Sequence, residues 1–473
     1  MLVIGGGTAG LVTAAGSAGI GARVALVERA RLGGECLWNG CVPSKALLAA
    51  AHRAADVRGA SRYGVHAGAP QVDMAEVRAY VRAAQARIAP HDSPERFRSL
   101  GVDVIGGDAS FTGPMAVSVD GRPIGAKRIV IATGSSPAIP PIPGLDAVPY
   151  LTNETVFDLA ERPATLVVLG GGPIGIELAQ AFARLGSAVH VVEAGPHILA
   201  HDDRELADLL AARLEAEGVR LHLGCTVTRV ARGADGAAVE LTATRSHGAG
   251  EAGPLALRGD ALLVATGRRP RLESLHLERA GVASTKDGVT VDAGLRTTAA
   301  RVWAAGDCVG PLRFTHVAEY QARLIVRNAF FPFTSAVDYS GVPWVTYTDP
   351  ELAHVGLTEA EARTRHGDSL RVWRRPFSEV DRAVTDGTTA GMVKLLTIGR
   401  GRIVGGQILG AGAGNMIGEI TLAIKHGLSA SALGNTIHPY PTYPDAIRQA
   451  ADQYSRSRFT GLVKRVVNWY VRR

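Results

Sequence analysis

The 473-residue sequence is short of cysteine, with four in all, and of aromatic residues, at 5%. Four cysteines cannot staple a chain of this length, so a disulfide scaffold is excluded and a reducing, cytoplasmic setting is expected. No run of ~18 uninterrupted apolar residues occurs, which argues against a membrane-spanning helix. No basic segment leads into a hydrophobic one at the start, so no signal peptide is expected. Acids are missing from the last eighteen residues, which carry Arg456, Arg458, Lys464, Arg465, Arg472 and Arg473. These six account for most of the net charge of +7, so the rest of the chain is close to neutral. With no interleaving of aromatic and basic residues, nothing points to nucleic acid. No Cys/His cluster completes a zinc set, and no metal ligand is assigned.

What is abundant is hydrophobic residues, at 46%, and glycine, at 57 residues. That rules out disordered and fibrous classes, and the length suggests about three domains. The glycines fall in a pattern that occurs twice. Leu2-Val-Ile-Gly5-Gly-Gly7-Thr-Ala-Gly10 is a short strand running into Gly-x-Gly-x-x-Gly, then a small-residue helix over Leu11 to Ala18 and a second strand ending in Glu28. Thr165-Leu-Val-Val-Leu-Gly170-Gly-Gly172-Pro-Ile-Gly175 repeats it at an offset of 165 and ends in Glu193. Each acid lies 23 residues after its first glycine. Strand, glycine turn, helix, strand and closing acid together form a dinucleotide fingerprint. The pyrophosphate rests at the helix N-terminus, where free N–H groups and the helix dipole favour an anion. Two such units imply FAD and a nicotinamide nucleotide. A carboxylate at Glu193 suits the free 2′-hydroxyl of NAD and repels the 2′-phosphate of NADP, so NAD is expected.

Cys36 and Cys41 lie in Gly33-Gly-Glu-Cys36-Leu-Trp-Asn-Gly-Cys41-Val-Pro43-Ser-Lys45. Pro43 suits the first turn of a helix, which places Cys41 at a helix N-terminus, where the dipole favours thiolate. A low-pKa thiolate is what thiol–disulfide exchange requires. A structural disulfide and half a metal site are the alternatives. Cys225 and Cys308 read most simply as buried small hydrophobes, although Cys308 abuts a cofactor-type motif.

Gly-Gly-x-Cys-x4-Cys-Val-Pro-Ser-Lys after an N-terminal dinucleotide fingerprint resembles the class I flavin disulfide reductases, among them dihydrolipoamide dehydrogenase, glutathione reductase and mercuric reductase. Ala132-Thr133-Gly134 and Ala265-Thr-Gly267 are similar to the family's motifs at the exits of its nucleotide domains. Val302-Trp-Ala-Ala-Gly-Asp307 resembles the second flavin motif, and Thr315-His316-Val-Ala318 the segment beside the flavin. The resemblance implies an α/β fold of two Rossmann-like, glutathione-reductase-like domains and a C-terminal α/β dimerisation domain. The expected limits are 1–150 and 272–340 for FAD, 151–271 for NAD(P), and 341–473 for dimerisation plus the basic tail. It implies a homodimer with active sites built across the interface. Cys41 becomes the thiolate beside the flavin and Cys36 the interchange thiol that meets the acceptor. Lys45 pairs with Glu177 near the flavin's reactive edge, and Asp307 binds the ribityl chain.

This chain departs from the family at one point that matters. The thiol–disulfide members end in His-Pro-Thr-x-x-Glu, whereas here the segment is His438-Pro-Tyr440-Pro-Thr442-Tyr-Pro-Asp445. Tyr440 takes the place of the base, Asp445 that of its orienting carboxylate, and His438 lies two residues upstream. Tyrosine titrates near ~10 and histidine near ~6.5, so Tyr440 is a donor or metal contact and not a base at neutral pH. Glu35 and Trp38 replace more usual residues around Cys36, and Trp38 is expected to narrow access to it. The acceptor stays open: a disulfide such as lipoamide, a metal such as Hg(II), or a quinone. A redox-sensing flavoprotein is a further alternative. For the quinone reading the tail supplies a motive. Phe459, Leu462, Val463, Val466, Val467 and Tyr470 form one apolar helical stripe among basic residues, which suits either a membrane surface or packing within the dimer.

Overall fold

The computed structural model describes residues 1–473 apart from 235, 237, 246–252, 460 and 473, and leaves aside the side chains of 462–464 and 466. Three main sheets organise the chain. The first is parallel, in the order Val302–Ala304, Ile129–Ile131, Leu2–Ile4, Val24–Glu28, Val102–Gly106. The second is parallel too, in the order Arg220–Leu223, Ala188–Glu193, Thr165–Leu169, Ala261–Val264. The central strands Leu2–Ile4, Ile129–Ile131 and Thr165–Leu169 read as Val/Ile/Leu runs because both their faces are covered: Val3, Val130, Leu166 and Val168 are completely buried. After the second sheet is complete, the chain returns at Val302–Ala304 to finish the first.

The third sheet is antiparallel, in the order Pro343–Thr346, Glu351–Gly356, Arg402–Gly410, Met392–Ile398, Leu370–Pro376. The helices Ala413–Lys425 and Asp445–Ser457 pack on it through residues such as Ile417, Ile420, Ile447 and Ala450.

Three helices stand where the sequence sets them. Thr8–Gly19 and Pro173–Leu185 each follow a glycine turn, and Cys41–Gly59 follows Gly40. Cys36 occupies a separate short helix, Gly34–Trp38. Gly34 approaches the first glycine turn so closely that a Cβ on it would stand 2.5 Å from the Gly7 Cα. That contact sets the cysteine pair beside the first dinucleotide turn. The basic end forms the helix Gly461–Val471, with Phe459, Val467, Trp469, Tyr470 and Val471 exposed. Leu462, Val463 and Val466 of the expected apolar stripe, and Lys464 and Arg473 among its cations, lie outside the described residues. No helix among the described residues is long and apolar enough to cross a membrane.

Candidate active site

One large cavity, ≈ 2270 Å³, runs between the first two sheets and reaches the third. Both glycine turns open into it. The two turns are near copies down to the close contacts. Gly5 and Gly170 have φ of 108° and 107°, a region that favours glycine. A Cβ on Gly5 would meet the Ala132 carbonyl oxygen at 2.2 Å, and one on Gly170 the Ala265 oxygen at 2.4 Å. Gly10 and Gly175 leave no room either, with the carbonyls of Gly5 and Gly170 at 1.8 Å and 2.1 Å from the added carbon. Gly7 and Gly172 cap their helices without a side-chain partner, so the first N–H groups face the cavity.

The closing acids repeat as well. Gly6 N donates to Glu28 Oε2 and Gly171 N to Glu193 Oε2, each at 2.6 Å. Ala30 N reaches the other oxygen of Glu28 at 2.8 Å, and Gly195 N that of Glu193 at 2.6 Å. Both carboxylates line the cavity and keep lone pairs for a ribose. Two glycine cradles, two exposed helix N-termini and room between them fit two dinucleotides. The first cradle, with Asp307 and Ala132 to Gly134 on the same wall, would hold FAD.

The cysteine pair lies on that wall as two free thiols in hydrogen-bond contact. They are not equivalent. The hydrogen bond from Cys36, against the cost of burial, and then Thr315 and Lys45 bring Cys41 down to about 6. The same contact with Cys41, followed by burial, pushes Cys36 well above the usual thiol range. The thiolate therefore belongs to Cys41 and the proton to Cys36. Thr315 Oγ1 lies 3.3 Å from Cys41 Sγ at the start of the helix Thr315–Phe330. Thr315 has no role of its own in the sequence reading. Its one signal was its place beside His316.

Lys45 Nζ donates to Glu177 Oε2 at 2.9 Å, and Tyr347 N donates to Glu177 Oε1 at 2.8 Å. The Lys45 ammonium also stands 4.3 Å from the centre of the Tyr347 ring. This pair spans the two nucleotide units and lines the cavity between the cysteines and the second cradle. His316 donates through Nε2 to the Pro343 carbonyl at 2.8 Å and stacks on Phe314, while Ala318 is buried. Asp307 accepts from Ser135 Oγ at 2.7 Å.

Glu35, the unusual neighbour of Cys36, turns away from the thiols. It accepts from Asn153 Nδ2 at 2.7 Å and pairs with Arg268, while burial raises its pKa. Arg268 also donates to Ser135 Oγ at 2.8 Å. Arg268 follows Gly267 in sequence, which was the only hint of its place. Trp38 is pinned by a 2.7 Å bond from Nε1 to the Leu32 carbonyl, with the Arg31 guanidinium 4.2 Å from its ring centre.

The C-terminal candidates lie on the third sheet's unit. Tyr440 is 74% exposed, and its hydroxyl donates to Asp381 Oδ2 at 2.7 Å. Here the structure corrects the expectation for Asp445. That residue opens the helix Asp445–Ser457, and its carboxylate is taken by Arg448 at 2.6 Å and by Gln449 on the next turn. The carboxylate on Tyr440 is Asp381. His438 is held at both nitrogens, by the Thr436 carbonyl and by Glu419 Oε1, each at 2.9 Å. It is a packed loop histidine, not a free base. Cys225 and Cys308 are buried, and burial lifts Cys308 to about 11.

Two dinucleotide cradles facing a thiolate–thiol pair define a flavin enzyme that moves electrons between a pyridine nucleotide and a redox-active disulfide. The chain belongs to the pyridine nucleotide-disulphide oxidoreductases: that family's model matches residues 1–322, and the model of its dimerisation domain matches 342–451. It is 37% identical to a dihydrolipoyl dehydrogenase of Thermus scotoductus over 461 residues, 96% of each chain. It is 35% identical to a mercuric reductase of Streptomyces lividans over 463 residues, again 96% of each. Among solved structures it is similar to the HOCl-induced flavoprotein disulfide reductase RclA of Escherichia coli, with a TM-score of 0.84, 30% identity and coverage of 95% of this chain and 99% of that one. LpdA of Mycobacterium tuberculosis gives 0.86 at 28% identity, covering 96% and 99%. The protein is thus an FAD-dependent NAD(P)H oxidoreductase, and its dimerisation domain supports a homodimer.

Proposed function

We propose that NADH is the electron donor, that Cys41 and Cys36 are the relay, and that the acceptor is a small oxidant able to react without a histidine proton shuttle. The observation that carries this reading is the split between the two thiols. Flavin, when bound, supplies the two-electron relay between nicotinamide and disulfide. Two electrons and one proton open the Cys36–Cys41 disulfide into a thiolate and a thiol. Thr315 and Lys45 stabilise the charge on Cys41, and Cys36 keeps the proton until the acceptor arrives. Glu177 orients Lys45 across the cavity, and Glu193 selects the free ribose of NADH.

The acceptor is approached from the other subunit's C-terminal unit, where Tyr440 replaces the base. With Asp381 accepting its hydrogen bond and raising its pKa, Tyr440 offers a hydroxyl, not a basic nitrogen. A dithiol product needs protons moved at each turnover; a thiophilic metal ion or a quinone does not need them from a histidine.

The test is anaerobic NADH oxidation with lipoamide, Hg(II) and a soluble quinone side by side. Lipoamide is expected to be the slowest of the three. Tyr440→His should raise lipoamide turnover by up to ~10²-fold, and Cys36→Ser should abolish turnover with the preferred acceptor. Fast lipoamide reduction by the wild type would overturn the acceptor assignment.

A further inference from the structure

The second cradle is held from outside its own unit. Its closing acid, Glu193, is followed by a loop, residues 194–203, that leads into the helix Arg204–Ala216. His197, Leu199, Ala200, His201 and Asp202 of this loop line the cavity. Leu199 N donates to the carbonyl of Gly171, the middle glycine of the cradle, at 2.9 Å. Leu199 does so with φ of +50°, in the left-handed region, although it is leucine and 2% exposed. A non-glycine residue keeps such a conformation only where its surroundings over-determine it.

The end of the same loop is held by the third sheet. The side chain of Lys394, in the strand Met392–Ile398, is 2% exposed, and its ammonium reaches Asp203 Oδ1 and Oδ2 at 2.8 and 2.9 Å, Glu205 Oε2 at 2.8 Å and Glu359 Oε2 at 2.6 Å. Arg374 adds a fork to Glu205 and a bond to Glu359, the latter at 2.8 Å. Asp203 is the residue that ends the loop and caps the helix, accepting from Glu205 N at 3.2 Å. One residue earlier, Asp202 accepts from Trp344 Nε1 of the same sheet at 2.9 Å.

We infer that Lys394 is a positioning residue for nicotinamide: through Asp203 it fixes the loop that completes the second cradle, so the dimerisation domain sets the affinity for the electron donor. This rests on the reading that the second cradle takes NADH. The physical reason is charge. Three carboxylates converge on one buried ammonium, and without it they repel one another at close range. Asp203 is the member at the loop end, so a shift of its carboxylate is passed to the loop. That shift reaches the turn at Leu199 and with it the contact to Gly171.

The experiment uses the FAD-loaded protein. NAD⁺ binding is titrated by calorimetry, and NADH kinetics are followed with a soluble acceptor, for wild type, Lys394→Met and Lys394→Arg. Lys394→Met is expected to weaken NAD⁺ binding and raise the KM for NADH about tenfold, within the usual range for coupling between sites. Flavin content and kcat at saturating NADH should stay near wild type. Lys394→Arg should recover most of the affinity. Should Lys394→Met fail to fold, Asp203→Asn keeps a helix-capping side chain and removes the charge that Lys394 holds, and is expected to weaken binding about threefold. An unchanged NAD⁺ affinity in a folded Lys394→Met, or in Asp203→Asn, overturns the inference. So does a matching fall in kcat and flavin content, which is the mark of a purely structural lysine. A wild type that binds no NAD⁺ overturns the NADH reading instead.

Discussion

The two glycine cradles differ less in backbone than in what surrounds them. Gly5 and Gly170 share their φ, Gly10 and Gly175 their close contacts, and Glu28 and Glu193 their hydrogen bonds. Around the first, Gly34 and the redox helix press on the turn, and the first helical residue is Thr8, which offers an N–H. Around the second, the first helical residue is Pro173, which has none, and the loop after Glu193 is held by another domain. The first cradle is closed in by its own unit and suits a resident cofactor. The second has one donor fewer and a borrowed wall, which suits a ligand that comes and goes. Closely similar local geometry is thus set in two different surroundings, and the difference lies in the neighbours.

The sharpest way to break this comparison is to spoil both cradles alike. A Cβ on Gly10 or Gly175 runs into a carbonyl oxygen at about the same distance, 1.8 or 2.1 Å. Gly10→Val should yield colourless or insoluble protein. Gly175→Val should keep its flavin and lose apparent affinity for NADH by about 100-fold, since only the nicotinamide side is displaced. Flavin absorbance per protein and the KM for NADH decide. If both variants lose flavin equally, the two cradles are not independent.

A smaller effect separates the two acids. Glu193→Arg should move the preference from NADH toward NADPH by about tenfold, because the 2′-phosphate then meets a cation and not a carboxylate. Glu28→Arg should leave that preference alone and loosen FAD. The ratio of kcat/KM for the two nucleotides gives the answer, and an unmoved ratio in Glu193→Arg would remove this residue from donor selection.

The smallest effect concerns the first helical residue. Pro173→Thr restores one N–H to the second cradle, and the KM for NADH is expected to fall about threefold, in line with a single hydrogen bond to a charged group in partial contact with water. A KM that stays put would mean the phosphate does not reach that position.

Much of this was legible in the chain. The two cradles are local objects: glycines required by close backbone contact, an acid at a fixed spacing, and strands that must be apolar because both faces are covered. Cys41 at a helix start follows from Gly40 and Pro43. The contacts that assign work to these parts join distant segments. Thr315 meets Cys41 across 274 residues, Arg268 meets Glu35 across 233, and Lys394 meets Asp203 across 191. Asp445 departs from expectation for the same reason in reverse. The family resemblance implies a partner for Tyr440, yet at the first turn of a helix Asp445 is taken by its own Arg448 and Gln449.

The sequence by itself determined the class of protein, the two dinucleotide units, the cysteine pair and the loss of the family's histidine, because each is written in residues near one another and in backbone requirements that only certain side chains meet. The tertiary structure decided which side chains steady the Cys41 thiolate, which carboxylate holds Tyr440, and which sheet supplies the lysine that holds the loop after Glu193. Those outcomes depend on burial and on charges brought within hydrogen-bond distance by the packing of three sheets, and no spacing along the chain encodes them.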